Sequence, residues 1–332
     1  MSFLQNGHRY GLRDLTNRPL QGKERTTSST TGTTNTSSTV SVTQQSNCSL
    51  PALIPRPESE TKYDIDLPDR HDPLAVSDYV QEIYLYLRDL ETRMHPPQGY
   101  LEKQKEITPQ MRTIVIDWIC DVHERFRLQH ETFFLAVNYF DRFLARKQVA
   151  KNKLQLVALG ALFVAAKVEE AFAPYIRDMI QLTQCPFTHD QFIKLENVML
   201  KTLDYEMFAP SSFTFLRRYT KVSQSDRLHK YTAHYLIEMA LLEPDFLHYA
   251  PSHVSAAAML ASFNIHAVRS WPESLSRYSG YQQHEVASLA EQMVQSVQKI
   301  SKMRVKAVTR KYGSDAYHRV AQTVAQKLGI SV

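Results

Sequence analysis

The sequence predicts an all-α protein: two similar helical units in tandem, preceded by an unstructured tail. Three observations predict this. Through the body of the chain, apolar residues recur in steps of three and four, the period of a helix with one buried face. Two runs, Leu154–Lys167 and Ala256–Phe263, are apolar nearly all round, as expected of helices covered on every side. Nine glycines in 332 residues are too few for a turn-rich all-β fold or for Gly-rich phosphate loops, against an average near 7%.

Residues 1–75 read as the tail. Of the 18 residues Thr26–Thr43, 14 are Ser or Thr, so burial cannot offset the entropy of ordering them. Two features interrupt the tail: the patterned piece Arg9–Asn17 and the Pro-rich run PALIPRPESE, an expected extended linker. From Val76 the helical period takes over. Thr108 suits an N-cap and Pro109 the first helical position, ahead of a stripe at Met111, Ile114, Val115, Trp118, Ile119, Val122 and Phe126. Phe133, Phe134, Val137, Phe140, Phe143 and Leu144 repeat the pattern. Thr188 and Gln191 have capping-box spacing before a helix that runs through Leu203. Pro210, Ser211 and Ser212 then punctuate the chain. The second half repeats the plan: Leu236, Ile237, Ala240 and Leu241 form a stripe, and Ala256–Phe263 resembles Leu159–Ala166, which begins 97 residues earlier. No strand-like alternation runs beyond a few residues. The expected organisation is a tail at 1–75, a first unit with an N-terminal helix at 76–207, and a second unit with a C-terminal helix at 208–332.

The formal net charge is +5, all of it outside residues 1–75, where eight basic and eight acidic residues balance. So mild a surplus does not by itself imply nucleic acid. Cys48, Cys120 and Cys185 are far apart and make neither a disulfide framework nor a C-x-x-C zinc pair, so a reducing intracellular home is expected. The first residues lack an apolar signal-peptide core, and the longest apolar run, Leu156–Ala166, is too short to span a bilayer as a helix. No P-loop and no G-x-S-x-G elbow occurs. His-Glu at His123, His130 and His284 never continues to a second histidine three residues on. Neither an active site, a metal nor a cofactor is expected.

The segments MRTIVIDWICDVHERFRL, NYFDRFL, KLQLVALGALFVAAKVEE and LENVMLKTLDYEMFAPSSFTFLRRY, in this order and spacing, resemble the cyclin box. The resemblance runs from about Tyr79 to about Tyr312. YLRDLETRMHPPQGYLEKQKEIT and LQHETFFLAVNYFDRFL look like A-type mitotic cyclins, while YLIEMALLEPDFLHYAPS looks more like B-type, so the chain resembles the G2/mitotic cyclins of the A/B group.

The resemblance implies two five-helix boxes, near 108–207 and 210–306, after an N-terminal helix near 76–93. It implies a non-enzymatic regulatory subunit that binds a Ser/Thr cyclin-dependent kinase, moves its C-helix inward and so activates it. Lys167 and Glu196 match the family's pair that hydrogen-bonds kinase backbone. Tyr79, Ile83 and Tyr86, at i, i+4 and i+7, would partly meet the kinase; packing on the chain's own box is the alternative. Val168 stands where an aromatic is usual, which thins that contact. Glu169 and Glu170 would either pair with kinase arginines or stay solvated. Arg112 and Asp141 match an internal ion pair with a structural role.

On periodicity alone Met111, Ile114, Val115 and Trp118 read as core. The resemblance instead implies that, with Gln155 and Asp121, they line a shallow groove docking Arg-x-Leu substrates and inhibitors. The leucine would enter the apolar floor and the arginine meet the acid. Val115 replaces a more usual Leu and Asp121 a longer Glu, so peptide preference is expected to differ. In the tail, Arg9, Leu12, Leu15 and Asn17 have destruction-box spacing, which implies capture by the anaphase-promoting complex ubiquitin ligase, with Lys23 and Lys62 as candidate acceptors. Nuclear and cytoplasmic residence follows from the same likeness, with no membrane partner. The rival readings are a cyclin-fold transcription factor holding nucleic acid through the basic stretch Lys299–Lys311, and a helical scaffold with no kinase.

Overall fold

A computed structural model describes residues 64–183, 187–267 and 271–330. The tail segment with Arg9, Leu12, Leu15, Asn17, Lys23 and Lys62 lies outside the described residues. Among those described there are thirteen α-helices and no strand.

Among the described residues, structure precedes the expected boundary at 76. Short 3-10 turns form at Leu67–Asp69 and Pro73–Ala75. Asp66, buried, pairs with Arg218 at 3.1 Å and Lys221 at 2.7 Å. Burial alone would raise its pKa, but these two cations hold the carboxyl below its ordinary value. Such a charge clamp carries no apolar period, which is why composition assigned it to the tail. Helix α1 spans Val80–Arg93, beginning after Val76 adopts a left-handed φ of 47°.

The first unit holds α2 (Pro109–Phe126), α3 (His130–Arg146), α4 (Leu154–Glu169), α5 (Ile176–Thr183) and α6 (His189–Thr202). Thr108 Oγ1 accepts from the Met111 N–H at 3.3 Å, so α2 starts at its expected cap. The Thr188–Gln191 box also forms: each backbone N–H reaches the other's side chain, at 3.1 and 3.3 Å. α4 is the central helix, buried from Leu156 to Ala166, with α2, α3 and α6 against it. Gly160 makes the α6 contact possible, because a Cβ there would lie 2.6 Å from Leu195 Cδ2.

The second unit repeats this with α7 (Ser212–Val222), α8 (Arg227–Leu242), α9 (Pro251–His266), α10 (Glu273–Ser279) and α11 (Gln283–Ser301). α9 takes the place of α4, with α7, α8 and α11 around it. Its buried serines are all satisfied: Ser252 by Glu91, Ser255 by the Ser212 carbonyl and Ser262 by the His229 carbonyl. Beyond the expected end of the second box come two further short helices, α12 (Ala307–Tyr312) and α13 (Val320–Leu328). α12 packs on both α2 and α8 and thus touches both units.

The units are tied by polar bonds as well as packing. Arg112 Nε and Nη2 grip Asp141 at 2.8 and 2.7 Å, both residues buried, and the Tyr100 hydroxyl donates to the same carboxylate. Arg112 Nη1 also donates to the Leu241 carbonyl at 2.9 Å, and Thr113 Oγ1 to the Leu242 carbonyl at 2.7 Å. The ion pair expected inside the first unit thus also anchors the end of α8.

Candidate functional site

Lys167 lies in the last turn of α4 and Glu196 in the middle of α6. The α4/α6 packing brings them together: Lys167 Nζ is 2.5 Å from Glu196 Oε1, with side chains 45% and 15% exposed. The ammonium also sits 4.6 Å from the centroid of the Phe163 ring. A cation at a helix C-terminus is favoured by the helix dipole. The lysine thus remains poised at the surface with donor capacity to spare.

Large apolar side chains stand in solvent around the end of α4. Val168 is exposed, and Phe172 and Tyr175, which follow directly in the chain, are 94% and 75% exposed. Sequence reasoning passed over these two aromatics. Their signal was an aromatic run interrupted by Ala and Pro just past a helix end, with no period to bury it. Exposed apolar clusters of this kind mark interaction surfaces.

Glu169 and Glu170 part company. Glu169 is exposed; burial and the nearby charges of Glu131 and Glu170 raise its pKa. Glu170 turns inward. Its carboxylate accepts from the Gln129 N–H at 2.7 Å and the Thr132 hydroxyl at 2.5 Å, capping α3. Glu170 is half-buried, with one carboxylate oxygen committed to the start of α3. One backbone N–H, of the N-cap residue Gln129, and one hydroxyl, of Thr132, hold it.

Tyr79, Ile83 and Tyr86 are 61%, 41% and 52% exposed. α1 is anchored by a different stripe. The Tyr84 hydroxyl meets the Tyr219 hydroxyl at 3.0 Å, Arg88 donates to the Ser279 carbonyl, and buried Glu91 accepts from the Ser252 N–H and hydroxyl. The helix therefore spends one face on the second unit and leaves the Tyr79 face open.

A second surface runs along α2. Ile114 is exposed, while Met111, Trp118 and Asp121 are half-buried, as is Gln155 at the start of α4. Val115 is a correction: at 1% exposure it belongs to the core with Ile116 and Ile119, not to a groove lining. Periodicity marked one apolar face; the fold covers Val115 and leaves its neighbours reachable.

The acid of this surface is already engaged. Arg310 Nη2, from α12, lies 2.5 Å from Asp121 Oδ1. One turn earlier Asp117 accepts from the Lys306 and Ala307 N–H groups at 3.2 and 2.8 Å and so caps α12. Burial pushes the Asp117 pKa up to about 6 despite those bonds.

The basic stretch Lys299–Lys311 is largely consumed inside the molecule. Lys311 is fully buried, 2.8 Å from buried Glu238, which also accepts from Tyr312 and faces His130. Burial alone would raise the Glu238 pKa; Lys311 and His130 hold it far below the carboxylate range. Lys299 pairs with Glu243 and Arg310 with Asp121. Lys302 and Arg304 of the stretch are exposed.

The fold and these positions can be set beside known proteins. The family described as "Cyclin, N-terminal domain" matches residues 82–208, and "Cyclin, C-terminal domain" matches 210–326. A G2/mitotic-specific cyclin-2 of Medicago sativa is 34% identical over 260 residues, covering 78% of this chain and 79% of the relative. The chain belongs to the cyclin family. A G2/mitotic-specific cyclin-B of Patella vulgata is 38% identical over 261 residues, covering 79% of this cyclin and 64% of the relative. Several similar relatives are longer still, so this cyclin spans about three-fifths of their length. The X-ray structure of a viral cyclin from herpesvirus saimiri matches the fold with a TM-score of 0.57 at 22% identity, covering 64% of this cyclin and 96% of that chain. The two domain matches meet between α6 and α7, and the second takes in α12 and most of α13, past the expected end at 306.

Proposed function

We propose that this cyclin is the non-enzymatic regulatory subunit of a Ser/Thr cyclin-dependent kinase and acts in G2/M progression. One observation carries the reading. The Lys167–Glu196 pair sits exposed at the end of the central helix of the first box, beside Val168, Phe172 and Tyr175, which have no cover of their own. An apolar surface with a charged pair beside it suits a kinase C-helix and the backbone flanking it. Lys167 donates to carbonyls there and Glu196 accepts N–H groups, each a charge-assisted bond. To activate, the cyclin must favour the active kinase conformation; a shift from 1:99 to 99:1 needs about 5.5 kcal/mol of differential affinity. The names of the curated relatives, G2/mitotic-specific cyclins, support the cell-cycle assignment.

The α2 surface, with Met111, Ile114, Trp118, Asp121 and Gln155, docks substrates and inhibitors through a leucine side chain and a neighbouring base. Arg9, Leu12, Leu15 and Asn17 form a destruction box read by the anaphase-promoting complex, and the cyclin resides in nucleus and cytoplasm.

The test is Lys167→Glu combined with Glu196→Lys, which keeps opposite charges across the pair but reverses what each offers a partner. The doubly substituted cyclin should keep its helical circular dichroism and lose no more than about 4 °C of thermal midpoint, yet neither co-purify with nor activate a cyclin-dependent kinase. Undiminished activation would remove the kinase-interface assignment.

A further inference from the structure

The carboxylate that a docking arginine would need is held by the cyclin itself. Met111, Ile114, Trp118 and Asp121 lie at i, i+3, i+7 and i+10 on α2, one face ending in the acid about 15 Å from its start. Arg310 reaches that acid from α12, and its placement is enforced rather than incidental. Asp117 caps the start of α12, and the next two residues after Arg310 are locked by buried Glu238: Lys311 at 2.8 Å and Tyr312 at 2.9 Å. With both ends of this six-residue helix fixed, Arg310 has a short reach and Asp121 within it.

Resting on the docking reading above, we propose that Arg310 is a built-in competitor for the arginine of a docking peptide, and so sets specificity. The carboxylate demonstrably accepts a guanidinium, because one from the same chain occupies it at 2.5 Å. A peptide arginine that grips both carboxylate oxygens must displace Arg310 from Oδ1, and the exchange returns an equivalent bond for the one it breaks. The apolar floor is not contested in this way: Ile114 remains exposed and Trp118 accessible. The groove therefore selects peptides by their apolar anchor and gives little weight to the base. Burial raises the Asp121 pKa; Arg310 and then Arg125 oppose that rise, while the acid Glu124, itself drawn to His123 and Lys311, adds to it. Arg310 is the cation in direct contact with the carboxylate.

The pair is open enough to exchange, with Arg310 56% and Asp121 28% exposed. Arg310→Ala removes the competitor without touching the Asp117 cap or the Lys311 and Tyr312 anchors, so α12 should stay in place.

The experiment uses the full chain and two fluorescein-labelled synthetic peptides differing only in Arg-x-Leu against Ala-x-Leu, with Kd read by fluorescence anisotropy. In the parent the two should differ by less than about threefold. In Arg310→Ala the Arg-x-Leu peptide should tighten until the ratio reaches about tenfold, with Ala-x-Leu unchanged. Asp121→Asn added to Arg310→Ala should close the ratio again. Trp118→Ala is the control for the groove, and should weaken both peptides alike. If Trp118→Ala weakens both but Arg310→Ala leaves the ratio at its parental value, the competitor proposal falls while the groove stands. If Trp118→Ala leaves both affinities intact, or neither peptide binds parent or variant, the groove reading falls and takes the competitor with it.

Discussion

Arg112 is the single side chain whose loss should do most damage to the fold. Its guanidinium is fully buried, gripping Asp141 at 2.8 and 2.7 Å, touching the Tyr100 hydroxyl at 3.2 Å and donating to the Leu241 carbonyl at 2.9 Å. Arg112→Met removes the charge and keeps most of the volume. Asp141, 2% exposed, would then be a buried carboxylate with only Tyr100 left to it. Removing one partner of a buried pair costs about 3–5 kcal/mol. The freed Leu241 carbonyl adds less, because Leu241 is only partly buried and water can replace the bond. At about 2–4 °C per kcal/mol for a body of this size, the thermal midpoint should fall by roughly 6–20 °C. The second arm is Arg112→Met with Asp141→Leu. Replacing a whole buried pair by apolar groups is often neutral, so the double variant should recover most of the loss. Differential scanning calorimetry at neutral pH gives both numbers. A drop of under 2 °C for the single variant, or a double variant no better than the single, would refute the account of a charge balanced against burial.

Two further outcomes follow from single features. His234 is buried among Phe213, Tyr231 and His130, and burial followed by the neighbouring His130 lowers its pKa to about 3 from 6.5. The unfolded chain then binds a proton that the folded state refuses, so stability should be full above about pH 6.5 and fall toward pH 3, with about 2 kcal/mol lost by pH 5. Urea titrations at pH 7.5 and 5 should show His234→Phe sparing that part of the loss; identical pH slopes in parent and variant would exclude it. For the tail, Arg9→Ala with Leu12→Ala should lengthen the half-life at mitotic exit in a pulse-chase, and equal half-lives would remove the destruction box.

What could be read from sequence was what is local. The caps at Thr108 and Thr188 satisfy N–H groups three residues on, so their signal lies within one turn. The central helices betrayed themselves by having no polar face. By contrast, Arg112 meets Leu241 across 129 residues, Lys311 meets Glu238 across 73 and Arg310 meets Asp121 across 189. None of these pairs leaves a periodic trace, and a lysine in a basic run looks solvated until its buried acid is known. A C-terminal helix was expected after the second box, but the start of α12 left no trace for the same reason: six residues with two cations in the last turn carry no amphipathic stripe, and its hold on the body comes from distant carboxylates. The α2 stripe fails in the other direction. Val115 and Ile114 are adjacent and equally apolar, yet one is 1% and the other 39% exposed. Hydrophobic period reports what a face could bury, not whether the same chain covers it.

The distribution of ion pairs separates scaffold from surface. Arg112–Asp141 and Lys311–Glu238 are buried on both sides, so opening either strands a charge away from water. Lys167–Glu196 and Arg310–Asp121 are each partly exposed on both sides, and pairs in contact with water contribute about 0–1 kcal/mol at most. A partner can therefore open either exposed pair at small cost and replace it with bonds of its own, whereas it cannot profitably enter the buried ones. Exposed apolar side chains lie near both of these pairs along the chain, Val168 and Phe172 just after Lys167 and Ile114 two turns before Asp121. An apolar surface supplies the free energy of docking, and a pair that opens easily supplies directional bonds without a standing penalty. Buried pairs hold the two boxes at fixed geometry, so the two surfaces can be altered with little effect on the fold: charge reversal at Lys167 and Glu196, which forfeits the dipole and Phe163 contacts of the lysine, should lower the thermal midpoint by only about 1–4 °C, and Arg310→Ala by no more.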